Sequence, residues 1–300
     1  MGAASLETML ELWASSLREV KERMRPLFTQ DRVAASAHAF LDGPLGPERR
    51  KTGWMRAEAA GDKGPWRQQA ILGRGRWEAD TLRDIVRDYA LETLADPDGV
   101  LVIDETGFLK QGKASCGVGR QYTGSAGKVT NCQVGVFAVY ASRHGHAFID
   151  RALYLPKPWA SDPARRAAAH VPAAVGFATK PRLASRMIRR AIETDVPFAW
   201  VAADSVYGVG AIETDLRKAG KGYVLGVTSD HQFMSWLASR TCPGRPKRSC
   251  GSSMLRRGGI SPLVKGSRGR GCMIGRIWNW PISRPANTTA GNAGCGPVVC

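Results

Sequence analysis

The sequence predicts an α/β fold in which a mixed sheet with flanking helices follows an all-helical N-terminal domain. Two observations support this prediction. Up to about residue 95, apolar residues recur at steps of three and four, which is the spacing of amphipathic helices. From residue 100 onward, short apolar runs rich in Val, Ile and Tyr alternate with helical segments, which is typical of a sheet domain.

The N-terminal helices can be placed by their apolar spacing and by the residues that interrupt them. Gly43-Pro44 is expected to end the second helix, and the turn-forming run Asp96-Pro97-Asp98-Gly99 indicates a domain boundary. We therefore assign residues 1–97 to a helical domain. The predicted helices span 6–28, 31–41, 54–60, 65–72 and 81–94.

The sheet region reads in the order three strands, helix, strand, helix, strand. Close hairpins predict that the first three strands are antiparallel, and the later strand–helix–strand units predict parallel strands with right-handed crossovers. This is the topology of a ribonuclease-H-like sheet, with the first and fourth strands adjacent at its centre, and we assign it to residues 98–235. The predicted strands are 100–103, 133–140, 147–155, 198–203 and 223–227, and the helices are 180–194 and 211–219.

The chain is strongly basic, with a formal net charge of +17 over 300 residues. Such a balance favours a polyanionic partner, with nucleic acid the first candidate. No run of about 18 uncharged apolar residues occurs, and the N-terminus does not look like a signal peptide. We therefore expect no membrane span and a cytoplasmic, nucleoid-associated protein.

Residues 236–300 are predicted to form an aberrant, disordered basic tail. Residues 231–300 contain eleven Lys and Arg but no Asp or Glu, and they show no helical or strand periodicity. One interpretation is translation out of frame: Trp278-Asn279-Trp280-Pro281 must be encoded TGG-AAY-TGG-CCN, which reads Glu-Leu-Ala when two bases are dropped. The alternative is a genuine basic extension; ordinary usage of charged residues favours the frame shift.

Two aspartates stand at the carboxyl ends of predicted strands, Asp104 after the first and Asp204 after the fourth. If these strands are neighbours, the carboxylates face each other and repel unless a cation lies between them. Carboxylate oxygens suit Mg²⁺ or Mn²⁺, and a pair of such ions supports phosphoryl transfer. The alternative is that each aspartate is a turn residue that bonds its own backbone.

Several segments in order resemble the conserved blocks of bacterial insertion-sequence DDE transposases. The first is LVIDETGFLK at 101–110, and a later one is AWVAADSVYG at 199–208. Between them lie GRQY at 119–122, NCQVGV at 131–136 and DRALYLP at 150–156. The resemblance covers roughly residues 30–235.

The resemblance implies a function and a set of site residues. Asp104 and Asp204 would be the first two acidic ligands of Mg²⁺ or Mn²⁺, whereas the family's third ligand, a later glutamate, has no counterpart because Asp230 is the last acidic residue. The implied activity is DNA transposition by metal-dependent strand cleavage and strand transfer, on terminal inverted repeats and target DNA, by a homo-oligomer. This copy is expected to be inactive. The alternatives are a non-catalytic DNA-binding remnant and an unrelated ribonuclease-H-like nuclease.

Two groups of basic residues are candidates for DNA binding. The block Arg49-Arg50-Lys51 lies in the helical domain, where the helices around 61–64 form either a helix-turn-helix or a plain bundle. A second group would lie in a loop beside the first aspartate, where it either holds DNA phosphates or is simply solvated. Its members are Lys110, Lys113, Arg120 and Lys128. Glu105 is expected to be a solvated turn acid, with assistance to the metal as the alternative.

Overall fold

The computed structural model describes residues 6–73 and 75–228, together with two short strands later in the chain. The predicted N-terminal helices are all present. The second one continues beyond its predicted end to Leu45, with Pro44 in its last turn, where the proline costs one intrahelical hydrogen bond and only one helical residue follows. These helices are α1 (Leu6–Met24), α2 (Asp31–Leu45), α3 (Gly53–Ala59), α4 (Trp66–Gly73) and α5 (Ala79–Leu94).

A small apolar core holds the helical region together. Met24, Phe28 and Ile71 are buried in it, and Leu82 of α5 packs against them. The apolar stripe of α1 is only partly used, because its first half projects from this core and leaves Trp13 68% exposed. The stripe that predicts α1 is therefore longer than the surface that buries it.

The described strands form one mixed sheet in the order β2-β3-β1-β5-β6-β8-β7, with β4 paired to β3. The strands are β1 (Val100–Leu109), β2 (Gly119–Thr123), β3 (Lys128–Ser142), β4 (Gly145–Tyr154), β5 (Trp200–Ala203), β6 (Gly222–Val227), β7 (Ile260–Leu263) and β8 (Cys272–Arg276). The helices between them are α6 (Lys157–Ala160), α7 (Pro163–Ala168), α8 (Lys180–Glu193) and α9 (Gly210–Lys218).

The centre of the sheet has the predicted arrangement. β1 is antiparallel to β3 and parallel to β5, and β5 is parallel to β6. The first and fourth predicted strands are thus neighbours, which confirms that expectation. The pairing of β1 with β5 ends at Ile103 and Ala203, so the residues that follow these two are brought together at the point where β5 ends.

The sequence predicts residues 107–130 as a loop or a wide hairpin, and much of this segment is paired in strands. β1 continues to Leu109, paired with Cys132 of β3, and β2 adds a further strand beside β3. The sequence there is rich in Gly, Lys and Ser and lacks apolar alternation, so it gave no strand signal. Gly107 has a steric role, since a Cβ atom on it would lie 2.0 Å from the Thr123 hydroxyl.

Two strands lie inside the segment for which the sequence predicted no regular structure. β8 pairs antiparallel with β6, and β7 pairs antiparallel with β8. An open sheet edge offers backbone donors and acceptors to any extended segment, whatever its side-chain pattern. The rest of the predicted tail lies outside the described residues.

The helices α5, α8 and α9 contribute to one core on one face of the sheet. Leu101 and Ile103 of β1 are buried there beside Met187 and Ile188 of α8. Side chains alternate along a strand, so Asp104 points to the other face, opposite its register partner Phe137. That face carries three phenylalanines in edge-to-face contact, with ring centroids 6.4 Å and 5.4 Å apart: Phe108, Phe137 and Phe148.

Buried charge fixes α5 and α8 to β4. Asp150 is only 7% exposed and lies 2.5 Å from the guanidinium of Arg190 and 3.9 Å from that of Arg83. Near its N-terminal end, α5 contributes Leu82 to the core of the helical region. Towards its C-terminal end, it packs Leu91 against the core of the sheet. α5 therefore joins the two cores, and the division at residue 97 stays a prediction.

A buried tyrosine closes the seam between the helical region and the sheet. The Tyr140 hydroxyl accepts a hydrogen bond from the Asp96 N–H at 2.9 Å. The same hydroxyl lies 2.9 Å from the Asp96 carbonyl and 2.6 Å from the Pro197 carbonyl, and it can donate a hydrogen bond to either of them. Gly99 is required beneath the ring, because a Cβ atom there would lie 2.3 Å from this hydroxyl.

Candidate active site

The two aspartates predicted from the sequence lie on neighbouring strands. Ile103 of β1 is in register with Ala203 of β5. Asp104 follows Ile103 within β1, and Asp204 follows Ala203 directly after β5. Both side chains are exposed. The strand pairing therefore places two accessible carboxylates side by side at the carboxyl edge of the sheet.

Each aspartate bonds the backbone that follows it. Asp204 Oδ1 accepts from the Val206 N–H at 2.9 Å, and Asp104 Oδ1 accepts from the Glu105 N–H at 2.7 Å. The Asp204 bond has the spacing of the turn that the alternative interpretation predicted. Within the described part of the chain, no donor bonds the second oxygen of either carboxylate, so each aspartate keeps one oxygen without a protein partner.

The electrostatics at this edge disfavour simultaneous ionisation of Asp104, Glu105 and Asp204. Although Asp204 is exposed overall, partial desolvation by the surrounding protein raises the pKa of its carboxyl, and the nearby charges of Glu105 and Asp104 raise it further. The Val206 N–H and the Lys180 ammonium act in the opposite direction. A cation placed among these carboxylates would relieve both the desolvation and the repulsion.

Glu105 is not the solvated turn acid that the sequence predicted. Its carboxylate is about one fifth exposed and forms an ion pair with Lys180 at 2.7 Å. Its other oxygen accepts a hydrogen bond from the hydroxyl of Tyr207, a fully buried residue. The prediction was wrong because strand alternation turns this side chain towards the helix-covered face, where both partners lie.

The candidate DNA-binding residues occupy two separate stretches of surface. Lys113, Arg120 and Lys128 are exposed, and Lys110 is half-buried; Arg120 and Lys128 belong to β2 and β3 rather than to a loop. The block 49–51 is exposed between α2 and α3. In the described structure none of these side chains bonds either aspartate, so their part in DNA binding stays a prediction.

The candidate helix-turn-helix is formed by α3 and α4. Gly61 takes a left-handed conformation with φ +70° in the connection between them, and the Thr52 side chain caps the start of α3. The rings of Trp54 and Trp66 pack edge-to-face at 5.9 Å. These features suit either a DNA-binding unit or a plain helical bundle, and both interpretations stay open.

The residues at the sheet edge fit part of a metal site. Across the described ranges, no group of three or more His, Cys, Asp or Glu is placed to hold a metal ion. Two carboxylates with open oxygens do fit a divalent ion that keeps several water ligands, as Mg²⁺ does. The arrangement is thus suited to one ion and lacks a third acidic ligand for a second.

Comparison with known proteins identifies the family. A family model described as DDE superfamily endonuclease matches residues 23–261, and the chain belongs to this family. It is similar to the probable transposase for insertion sequence element IS701 of Microchaete diplosiphon, with 29% identity over 179 residues. That match covers 55% of this chain and 44% of the relative, so the chain spans less than half of the relative's length.

A similar solved structure is a piggyBac transposase synaptic complex with hairpin DNA. The similarity has a TM-score of 0.42 and 9% identity, and it covers 86% of this chain and 54% of the other. The family match confirms the resemblance found in the sequence, and nucleases of this superfamily generally use divalent metal ions. None of the helices in the described ranges is long and apolar enough to cross a membrane.

Proposed function

We propose that this chain is an insertion-sequence transposase in which Asp104 and Asp204 bind Mg²⁺ or Mn²⁺ for cleavage and transfer of DNA strands. The observation that carries the proposal is the register of β1 and β5, which places both aspartates at one sheet edge. Membership of the DDE superfamily endonucleases supports this chemistry over that of an unrelated ribonuclease-H-like nuclease.

The chain's own groups would hold the reacting phosphate and its ion in place. The bound ion would polarise the phosphoryl oxygens and stabilise the charge that develops on them. The Val206 N–H fixes the Asp204 carboxylate and so limits its rotation. The nucleophile would be water in the cleavage step and a DNA 3′-hydroxyl in the transfer step.

DNA is the partner we propose, as terminal inverted repeats and as target DNA, with the protein acting as a homo-oligomer in the nucleoid. Support comes from the exposed basic residues Lys113, Arg120 and Lys128, which lie where β1, β2 and β3 extend beyond the level of Asp104. Phosphate contacts of this kind release counterions, so binding of duplex DNA should weaken steeply as salt is added.

We further propose that residues 1–300 by themselves do not complete the reaction. Residues 231–300 contain no Asp or Glu that could supply a third carboxylate. Phosphoryl transfer depends almost wholly on positioning and charge stabilisation, so the loss should be severe. The same observation favours a second candidate function, a DNA-binding remnant that holds element ends without cutting them.

A strand-cleavage assay tests both candidates. Element-end DNA is incubated with Mg²⁺ or Mn²⁺ and with either this chain or a version in which the reading frame after residue 230 is restored. We expect cleavage only by the restored protein, and loss of that cleavage in its Asp204→Asn variant. Equal cleavage by both proteins would refute the missing-ligand argument, and cleavage by the Asp204→Asn variant would refute the assignment of this aspartate.

A further inference from the structure

The side chain of Glu105 joins three elements at the candidate site. It extends from β1 one residue after Asp104, and alternation directs it to the opposite face of the strand. There it accepts from the Tyr207 hydroxyl and pairs with the Lys180 ammonium at 2.7 Å. Glu105 is thus bonded to the turn that follows Asp204 and to the start of α8.

The turn after Asp204 is held from several directions. The Tyr207 N–H bonds the Asp204 carbonyl at 3.1 Å, and the Val206 N–H bonds the Asp204 carboxylate at 2.9 Å. The next residue, Gly208, packs so closely on β6 that a Cβ atom would lie 2.0 Å from the Gly226 carbonyl oxygen. Tyr207 is therefore the link through which this turn is tied to β1.

Lys180 balances the charge that Glu105 brings to the site. It is the first residue of α8, whose N-cap Thr179 bonds the Arg182 N–H at 3.3 Å. A half-buried carboxylate without a partner beside two others would be costly, and the ammonium removes that cost. Glu105 can therefore anchor the turn while the Lys180 ammonium offsets part of its charge next to the aspartates.

We infer that Glu105 is a positioning residue that fixes Asp104 and Asp204 relative to each other by holding Tyr207 and Lys180. The inference rests on the proposed role of the two aspartates as metal ligands. Glu105 itself need not touch the ion. Its contribution is to the separation and orientation of the two carboxylates, since Asp104 precedes it directly and Asp204 lies on the turn that it anchors.

The test uses the full chain with Tyr207→Phe, which removes one hydroxyl and keeps the buried ring. The matched control is Tyr140→Phe, which removes a buried hydroxyl that bonds Asp96 and Pro197, close to the starts of β1 and β5 and away from the aspartates. Asp204→Asn serves as the variant that removes a ligand. Binding of Mn²⁺ is measured by electron paramagnetic resonance of the free ion, and amide hydrogen exchange of Val206 is measured without metal.

We expect Tyr207→Phe to weaken Mn²⁺ binding by at most about tenfold, because the hydroxyl acts on the two ligands through Glu105 and its effect should not exceed that of a group bonded directly to a ligand. It should also speed exchange of the Val206 amide by more than its loss of global stability accounts for. Tyr140→Phe should weaken Mn²⁺ binding no more than about twofold and should speed Val206 exchange only as far as its own loss of global stability does. Unchanged Val206 exchange in Tyr207→Phe would overturn the positioning role whether or not the ion binds. Absence of Mn²⁺ binding by the unsubstituted chain would instead refute the proposed metal site, and the exchange result would still decide the inference.

Discussion

Replacement of Asp150 by asparagine should destabilise the protein by about 2 kcal/mol. The change removes the charge from a side chain that is 7% exposed and bonds the Arg190 guanidinium at 2.5 Å, and a bond between charged groups contributes about 1.5–3 kcal/mol. Arg83 keeps Asp80 at 3.1 Å and Asp84 at 2.9 Å, so no buried cation is orphaned there. Arg190 is 35% exposed and can be rehydrated, which sets the estimate in the lower half of that range.

Thermal unfolding followed by circular dichroism measures this loss. For a domain of this size, about 2 kcal/mol corresponds to a decrease in Tm of about 4–8 °C. The matched control is Asp88→Asn, which breaks the 2.9 Å pair with Arg87 at a carboxylate that is 61% exposed. We expect the control to change Tm by less than about 2 °C. Equal Tm values for the two variants would refute the argument that burial gives the Asp150 pair its weight.

Three further predictions concern the candidate site and the seam. The pKa of Asp204 is raised above 3.8 in the folded state, so the folded protein binds this proton more tightly than the unfolded chain does. Stability is therefore lost as the pH rises above 3.8, and Asp204→Asn should raise Tm at pH 7 but not below pH 3.8. Gly208→Ala should destabilise the fold, because its Cβ atom meets the Gly226 carbonyl, whereas Gly210→Ala, which meets nothing within 4 Å, should not. Tyr140→Phe should lower the unfolding free energy in urea by about 1–3 kcal/mol, and an unchanged midpoint would contradict the seam contacts.

Elements with a strong side-chain period could be predicted from the sequence. α8 is an example, because Leu183, Met187 and Ile188 repeat at helical spacing and are all buried against the sheet. The pairing of β1 with β5 also followed, since crossover handedness leaves few arrangements for strand–helix–strand units. Those two inferences were enough to place Asp104 and Asp204 at one edge.

The elements that were missed are held by backbone pairing or by distant partners. β2, β7 and β8 have no apolar alternation, and their strand character comes from a neighbouring strand. The role of Glu105 depends on Lys180, 75 residues away, and on Tyr207, 102 residues away. Local patterns carry no information about such contacts. The segments 101–110 and 199–208 were singled out only by their resemblance to transposase blocks, which does not reveal the partners of Glu105.

The seam at Tyr140 has a mechanical consequence. Its hydroxyl joins Asp96, which ends the helical region, to Pro197, which precedes β5, and its ring lies over Gly99 at the start of β1. The helical region and the sheet are therefore joined here by buried hydrogen bonds and not only by the chain that connects them. A movement of the helical region, for example on binding DNA at Arg49 and Arg50, would be passed to the first residues of β1 and β5, the two strands that lead to Asp104 and Asp204.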